Sequence, residues 1–129
     1  MLSTYGTRSG LDRETGLKVA GAFGAGMARM GETCGAVTGA FMVIGLKHGK
    51  TRAGDDGARE LTYELANEVV TRFKARNGTV LCKELLGHDL STEDGRAAVA
   101  EKNLFVTLCP RFVQDAGEIL EQVVGEDAG

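Results

Sequence analysis

The segment Cys34-Gly-Ala-Val-Thr-Gly-Ala-Phe-Met-Val-Ile-Gly-Leu46 is apolar almost all round. Such a stretch can be stable only as a helix buried on every side, so the rest of the chain must wrap it. Thr33 is placed to cap its start, and the helix is expected from Cys34 to about His48, ending at Gly49. Its longest apolar run, Ala36 to Leu46, falls short of the roughly 20 residues a membrane span needs. The helix therefore belongs at the centre of a soluble bundle.

The neighbours follow the same period. From Asp12 to Met30, Leu17, Ala20, Phe23, Met27 and Met30 recur at spacings of three and four, predicting a helix that Gly31 stops. Gly16, Gly21, Gly24 and Gly26 each weaken that helix by about 0.8–1 kcal/mol relative to Ala, so packing must hold it. Ala58 to Arg76 carries Leu61, Leu65, Val69 and Phe73 at strict four-residue spacing and ends at Asn77-Gly78. Thr79 is placed to cap a short helix through Cys82 to Leu86. Ser91-Thr92-Glu93-Asp94 resembles a capping box for a helix to about Phe105, with Ala97, Ala100 and Leu104 inward. Pro110 opens a last helix to about Val124, with Phe112, Val113, Ala116, Ile119, Leu120 and Val123 inward. No segment alternates with a strand period. The expected fold is all-α, a compact helical bundle of five to six helices in a single domain over residues 1–129.

Composition narrows the function. Charge is −3 with acids and bases interspersed, so no basic stripe exists to hold a phosphate backbone and no nucleic-acid partner is expected. Nothing at the start reads as an export leader, which gives a cytoplasmic expectation. In that compartment three cysteines, an odd number, argue against a structural disulfide framework. His48 reads as a helix-end dipole partner and His88 as a turn residue. Gly24-Ala-Gly-Met-Ala28 has no preceding strand and so is not a dinucleotide fingerprint.

The cysteines carry the chemistry. Cys34, Cys82 and Cys109 each fall where a helix is about to begin, where free N–H groups and the helix dipole favour a thiolate. Small residues surround Cys34 in Gly35-Ala36-Val37-Thr38-Gly39, and Gly35 and Gly39 share a helical face. Close approach of the preceding helix would bury Cys34 under Met27 and Met30. Three uses of these sulfurs remain open on residues alone. One is thiol–disulfide chemistry centred on Cys34. Another is ligation of zinc or an iron–sulfur cluster, although spacings of 48 and 27 residues contain no Cys-x-x-Cys pair. The third is service as small buried apolar residues in a non-catalytic interaction domain.

The run Phe23-Gly-Ala-Gly-Met-Ala-Arg-Met-Gly-Glu-Thr-Cys-Gly-Ala-Val-Thr-Gly-Ala40, with Cys82 and Cys109-Pro110 downstream, resembles the redox-active family named for its C_GCAxxG_C_C pattern. The resemblance runs over nearly the whole chain. It implies a small helical redox protein with Cys34 as the motif cysteine. Gly35, Ala36 and Gly39 complete the motif around any bound cofactor, and Cys82 and Cys109 are the third and fourth cysteines. The family's first cysteine lies in an N-terminal helix whose tail Met1-Leu-Ser-Thr-Tyr5 resembles. The expectation is that this Cys-containing helix is lacking, through a truncated start or a lost helix. The apolar surface so exposed would be covered in a homodimer, which acts with a separate redox partner.

Overall fold

In the computed structural model, residues 1–125 are described, and the last four of the expected domain span lie outside them. The central helix forms as expected. It runs Gly35–His48 (α3) and buries Ala36, Val37, Gly39, Ala40, Val43 and Ile44. Around it pack the long helix Asp56–Asn77 (α4) and the last helix, Cys109–Val124 (α8). Val69 and Phe73 of α4 meet Phe112, Ala116, Ile119 and Leu120 of α8 in the main core. The Phe73 and Phe112 rings lie 6.2 Å apart and tilted by 56°, a favourable aromatic arrangement. A short helix Leu2–Tyr5 (α1) closes that core with Leu2 and Tyr5.

A second, smaller core gathers Cys82, Leu86, Leu90 and Val99. It is built by three short helices, Cys82–Leu86 (α5), Glu93–Glu101 (α6) and Leu104–Thr107 (α7). Thr92 caps α6 by accepting the Gly95 N–H at 2.9 Å, as the sequence predicts. The inward stripe differs: Gly95 and Val99 are buried, while Ala97 and Ala100 face outward. Gly95 is at the inner position because the Asp89 carbonyl lies where its Cβ would be.

Eight right-handed α-helices are present among the described residues, more than the expected five to six. Two departures explain the difference. Asn103 adopts a left-handed conformation at φ 58°, which Asn tolerates, and so divides the expected Glu93–Phe105 helix into α6 and α7. The Leu2–Tyr5 turn adds the other helix.

The expected Asp12–Met30 helix also fails to persist. Asp12 caps a helix of seven residues, Arg13–Val19 (α2), by accepting the Thr15 N–H at 2.9 Å. A tight turn over Gly21–Phe23 follows, and the backbone then inverts. Ala25, Gly26, Met27, Ala28 and Arg29 all have positive φ, from 53° to 71°. This left-handed strap costs about 1–2 kcal/mol at each of its four non-glycine residues. Glycine-rich sequence supplies the right spacing for a helix but cannot hold one. The inversion turns Met27 and Met30 outward, 36% and 58% exposed, so they do not roof Cys34.

Candidate thiol site

The site is assembled by two loops that pair as a miniature antiparallel ladder. Thr33 bridges Leu81, the Cys34 N–H donates to the Val80 carbonyl at 2.7 Å, and the Cys82 N–H donates to the Glu32 carbonyl at 2.6 Å. Lys83 N–H extends it with a bond to Gly31 O at 3.1 Å. Thr33 is thus held by this ladder, and Cys34 itself takes the N-cap position of α3, without a side-chain cap. In such a ladder Cys34 and Cys82 are diagonal neighbours on one face.

The strap presses on the same face. Gly26 is buried with φ 66°, and a Cβ there would stand 2.6 Å from Cys82 Cβ and 2.7 Å from the Glu32 nitrogen. Only glycine permits this approach. Glu32 N–H donates to the Gly26 carbonyl at 2.9 Å and ties the strap to the ladder. Cys109 enters from the start of α8, where Pro110 occupies the first turn.

All three cysteines line one cavity of about 250 Å³. Ala25 and Gly26 of the strap and Gly35 and Ala36 of α3 form part of its lining, and Phe105 and Val113 complete it. The cavity lies where the two cores meet: Cys34 packs against the main core, Cys82 and Cys109 belong with the smaller one, and Leu108 touches both. Of the motif residues, Gly35 and Ala36 line the cavity with Cys34. Gly39 packs elsewhere, its α-carbon facing Met1, whose Cβ would be 2.8 Å from a Cβ at that position.

Electrostatics correct one expectation. The helix starts do not yield low-pKa thiols, because burial raises all three. Burial pushes the Cys82 thiol up to about 11, and charge on Cys34 or Cys109 adds to the shift. Burial raises Cys109 too, and proximity to Cys34 raises it further. Cys34 is also raised by burial, with the backbone N–H groups of Ala36 and Val37 at the start of α3 pulling the other way. Cys34 is therefore the sulfur with built-in support for negative charge. The three are free thiols; Cys82 is 7% exposed, and the other two are half-buried.

Ligation of zinc or an iron–sulfur cluster by Cys34, Cys82 and Cys109 finds no support in the geometry. Among the described residues no group of three or more His, Cys, Asp or Glu is arranged to hold a metal ion. His88 stands on a turn with its Nε2 3.0 Å from Lys102 Nζ. No helix among the described residues is long and apolar enough to cross a membrane.

Gly26, Ala25 and Val113 are the site residues that helical periodicity misassigns, and Phe105 it leaves without a role. It places the first two inside a regular helix and Val113 in the core, whereas Val113 is 47% exposed at the cavity. The density of glycine before Cys34 was the available signal for the strap.

Fold and site together define a small all-α protein with three thiols converging on an apolar cavity. The sequence pattern of the putative redox-active protein family C_GCAxxG_C_C matches residues 1–123, and the chain belongs to that family. No curated protein and no solved structure matches the chain.

Proposed function

We propose that this chain is a thiol–disulfide redox protein that donates electrons, with Cys34 as the attacking sulfur and Cys82 as its resolving partner. The observation that carries the reading is the convergence of three cysteines, distant in sequence, on one cavity. The Cys34 thiol loses its proton to solvent, and the Ala36 and Val37 N–H groups support the resulting thiolate. That thiolate attacks one sulfur of an acceptor disulfide. A Cys34–acceptor bond forms, the acceptor's own S–S bond breaks, and the departing thiolate takes up a proton. Cys82, after losing its proton, then attacks the Cys34 sulfur, forms the Cys34–Cys82 bond and expels the second acceptor thiolate, which is protonated in turn. Two electrons and two protons pass from protein to acceptor.

Burial supports the donor direction. A redox pair becomes oxidising when its reduced form is stabilised as thiolate, and here burial destabilises the thiolate at every sulfur. The pair thus lacks the thiolate stabilisation that makes a dithiol–disulfide couple a strong oxidant. Cys82, nearly inaccessible, suits resolution better than external attack. Cys109 shares the cavity as the third thiol, placed to exchange with the pair once it forms.

The test is a titration of the anaerobically reduced protein with one equivalent of 2-hydroxyethyl disulfide. Protein-bound thiol, counted after the released 2-mercaptoethanol is removed, is expected to fall from three per chain to one, with a product not cross-linked between chains, two hydrogens lighter and giving a Cys34–Cys82 peptide in its digest. Cys82→Ser should accumulate the mixed disulfide on Cys34, and Cys34→Ser should retain its fold and lose the reaction. Retention of all three thiols, or oxidation only between chains, contradicts the proposal.

A further inference from the structure

We infer that the arm of the acceptor entering the thiol cavity is uncharged and apolar, and that the cavity discriminates against ionised disulfides. The inference rests on the thiol–disulfide reading and specifies its substrate class. Apart from the thiols, the lining is Ala25, Gly26, Gly35, Ala36, Phe105 and Val113, with no cationic or anionic side chain. Glu32 and Lys83, the charged residues of the ladder, are 4.0 Å from each other and form their own pair. Phe105 and Val113 are each about half exposed, so an arriving molecule meets an aromatic ring and a branched aliphatic chain beside the sulfurs.

A carboxylate drawn into this space would lose water and find no counter-charge, at a cost that an uncharged group escapes. An ammonium group meets the same penalty. Size sets a second limit. An apolar cavity of about 150 Å³ holds benzene, so about 250 Å³ suits an arm of roughly ten non-hydrogen atoms. The reaction is protein dithiol plus R–S–S–R giving protein disulfide plus two R–SH, with R uncharged. Such an arm belongs either to a small free disulfide or to a peptide disulfide whose cysteines are flanked by apolar residues.

The test compares rates of oxidation of the reduced protein by three disulfides of similar size. These are uncharged 2-hydroxyethyl disulfide, anionic dithiodiglycolate and cationic cystamine. The same rates on the urea-unfolded chain remove intrinsic reactivity. Folding is expected to shift the uncharged-to-anionic and uncharged-to-cationic ratios about tenfold or more toward the uncharged reagent. Val113→Lys, at an exposed position, should restore much of the anionic rate and depress the cationic one. An uncharged peptide disulfide with leucines beside its cysteine, run in parallel, identifies the source by whether it outpaces the small reagent. Equal ratios in the folded and unfolded chain overturn the inference while leaving the dithiol chemistry intact. Failure of all the disulfides to form the intramolecular bond would instead sink the thiol–disulfide reading.

Discussion

Replacing Gly26 by alanine tests how the thiol site is built. Gly26 has φ 66° and ψ 47°, a conformation that costs a residue with a Cβ about 1–2 kcal/mol. The new methyl group would also stand 2.6 Å from Cys82 Cβ, 2.7 Å from the Glu32 nitrogen and 2.9 Å from the Gly31 carbonyl carbon. Two of these neighbours are backbone and cannot swing aside, so overpacking adds about 1–3 kcal/mol. Gly26→Ala should therefore destabilise the reduced protein by about 2–5 kcal/mol. Gly24→Ala is the control: nothing stands within 4 Å of a Cβ there and φ is −65°, so its effect should stay within about 0.5 kcal/mol. Ala28→Gly relieves a left-handed alanine at φ 53° and should stabilise by about 0.5–1 kcal/mol after the entropy of glycine is charged against it. Urea unfolding with excess reductant measures all three. If Gly26→Ala and Gly24→Ala prove alike, the strap is not packed on Cys82 as described.

Other expectations concern charge and hydrogen bonding. The Cys82 thiol rises from an ordinary 9.0 to about 11, so folding holds it protonated; its contribution is complete below pH 9 and is lost as pH climbs to about 11. The urea midpoint of the reduced protein should fall across that window, with a loss on the order of 2 kcal/mol that Cys82→Ala largely removes. Alkylation of the native thiols by iodoacetamide at pH 7.5 should be slower than in urea, because burial raises all three; faster native alkylation would contradict the site's electrostatics. Tyr5 donates its hydroxyl to Glu121 Oε1 at 2.6 Å and ties α1 to α8, so Tyr5→Phe should cost about 1.5 kcal/mol by urea unfolding.

What was legible in the sequence followed from periodicity. The all-round apolar segment gave α3, and the four-residue spacing through Val69 and Phe73 gave α4 to within a residue or two of its ends. The side-chain cap read at Thr92 held, while those read at Thr33 and Thr79 did not, because Cys34 and Leu81 take the N-cap positions without a side-chain cap. The strap was not legible, because Leu17, Phe23, Met27 and Met30 keep a helical spacing while the backbone between Ala25 and Arg29 turns left-handed. That choice is made by tertiary contact: Gly26 must meet Cys82, a residue 56 positions away. The cysteine cluster was legible as residue types but not as a place. A pairing of residues 31–34 with 80–83, which brings two of the sulfurs together, has no local signature in either loop. Sequence position also overstated the dipole at each helix start, since burial depends on neighbours that only folding supplies.

Dibromobimane, which fluoresces brightly only when one molecule bridges two thiols, tests the shared cavity most directly. Rapid intramolecular bridging of Cys34 to Cys82 is expected in the dilute, reduced native protein, abolished by urea and retained in Cys109→Ser. Monofunctional labelling without bridging in the native chain, or bridging no faster than in urea, would contradict the shared cavity.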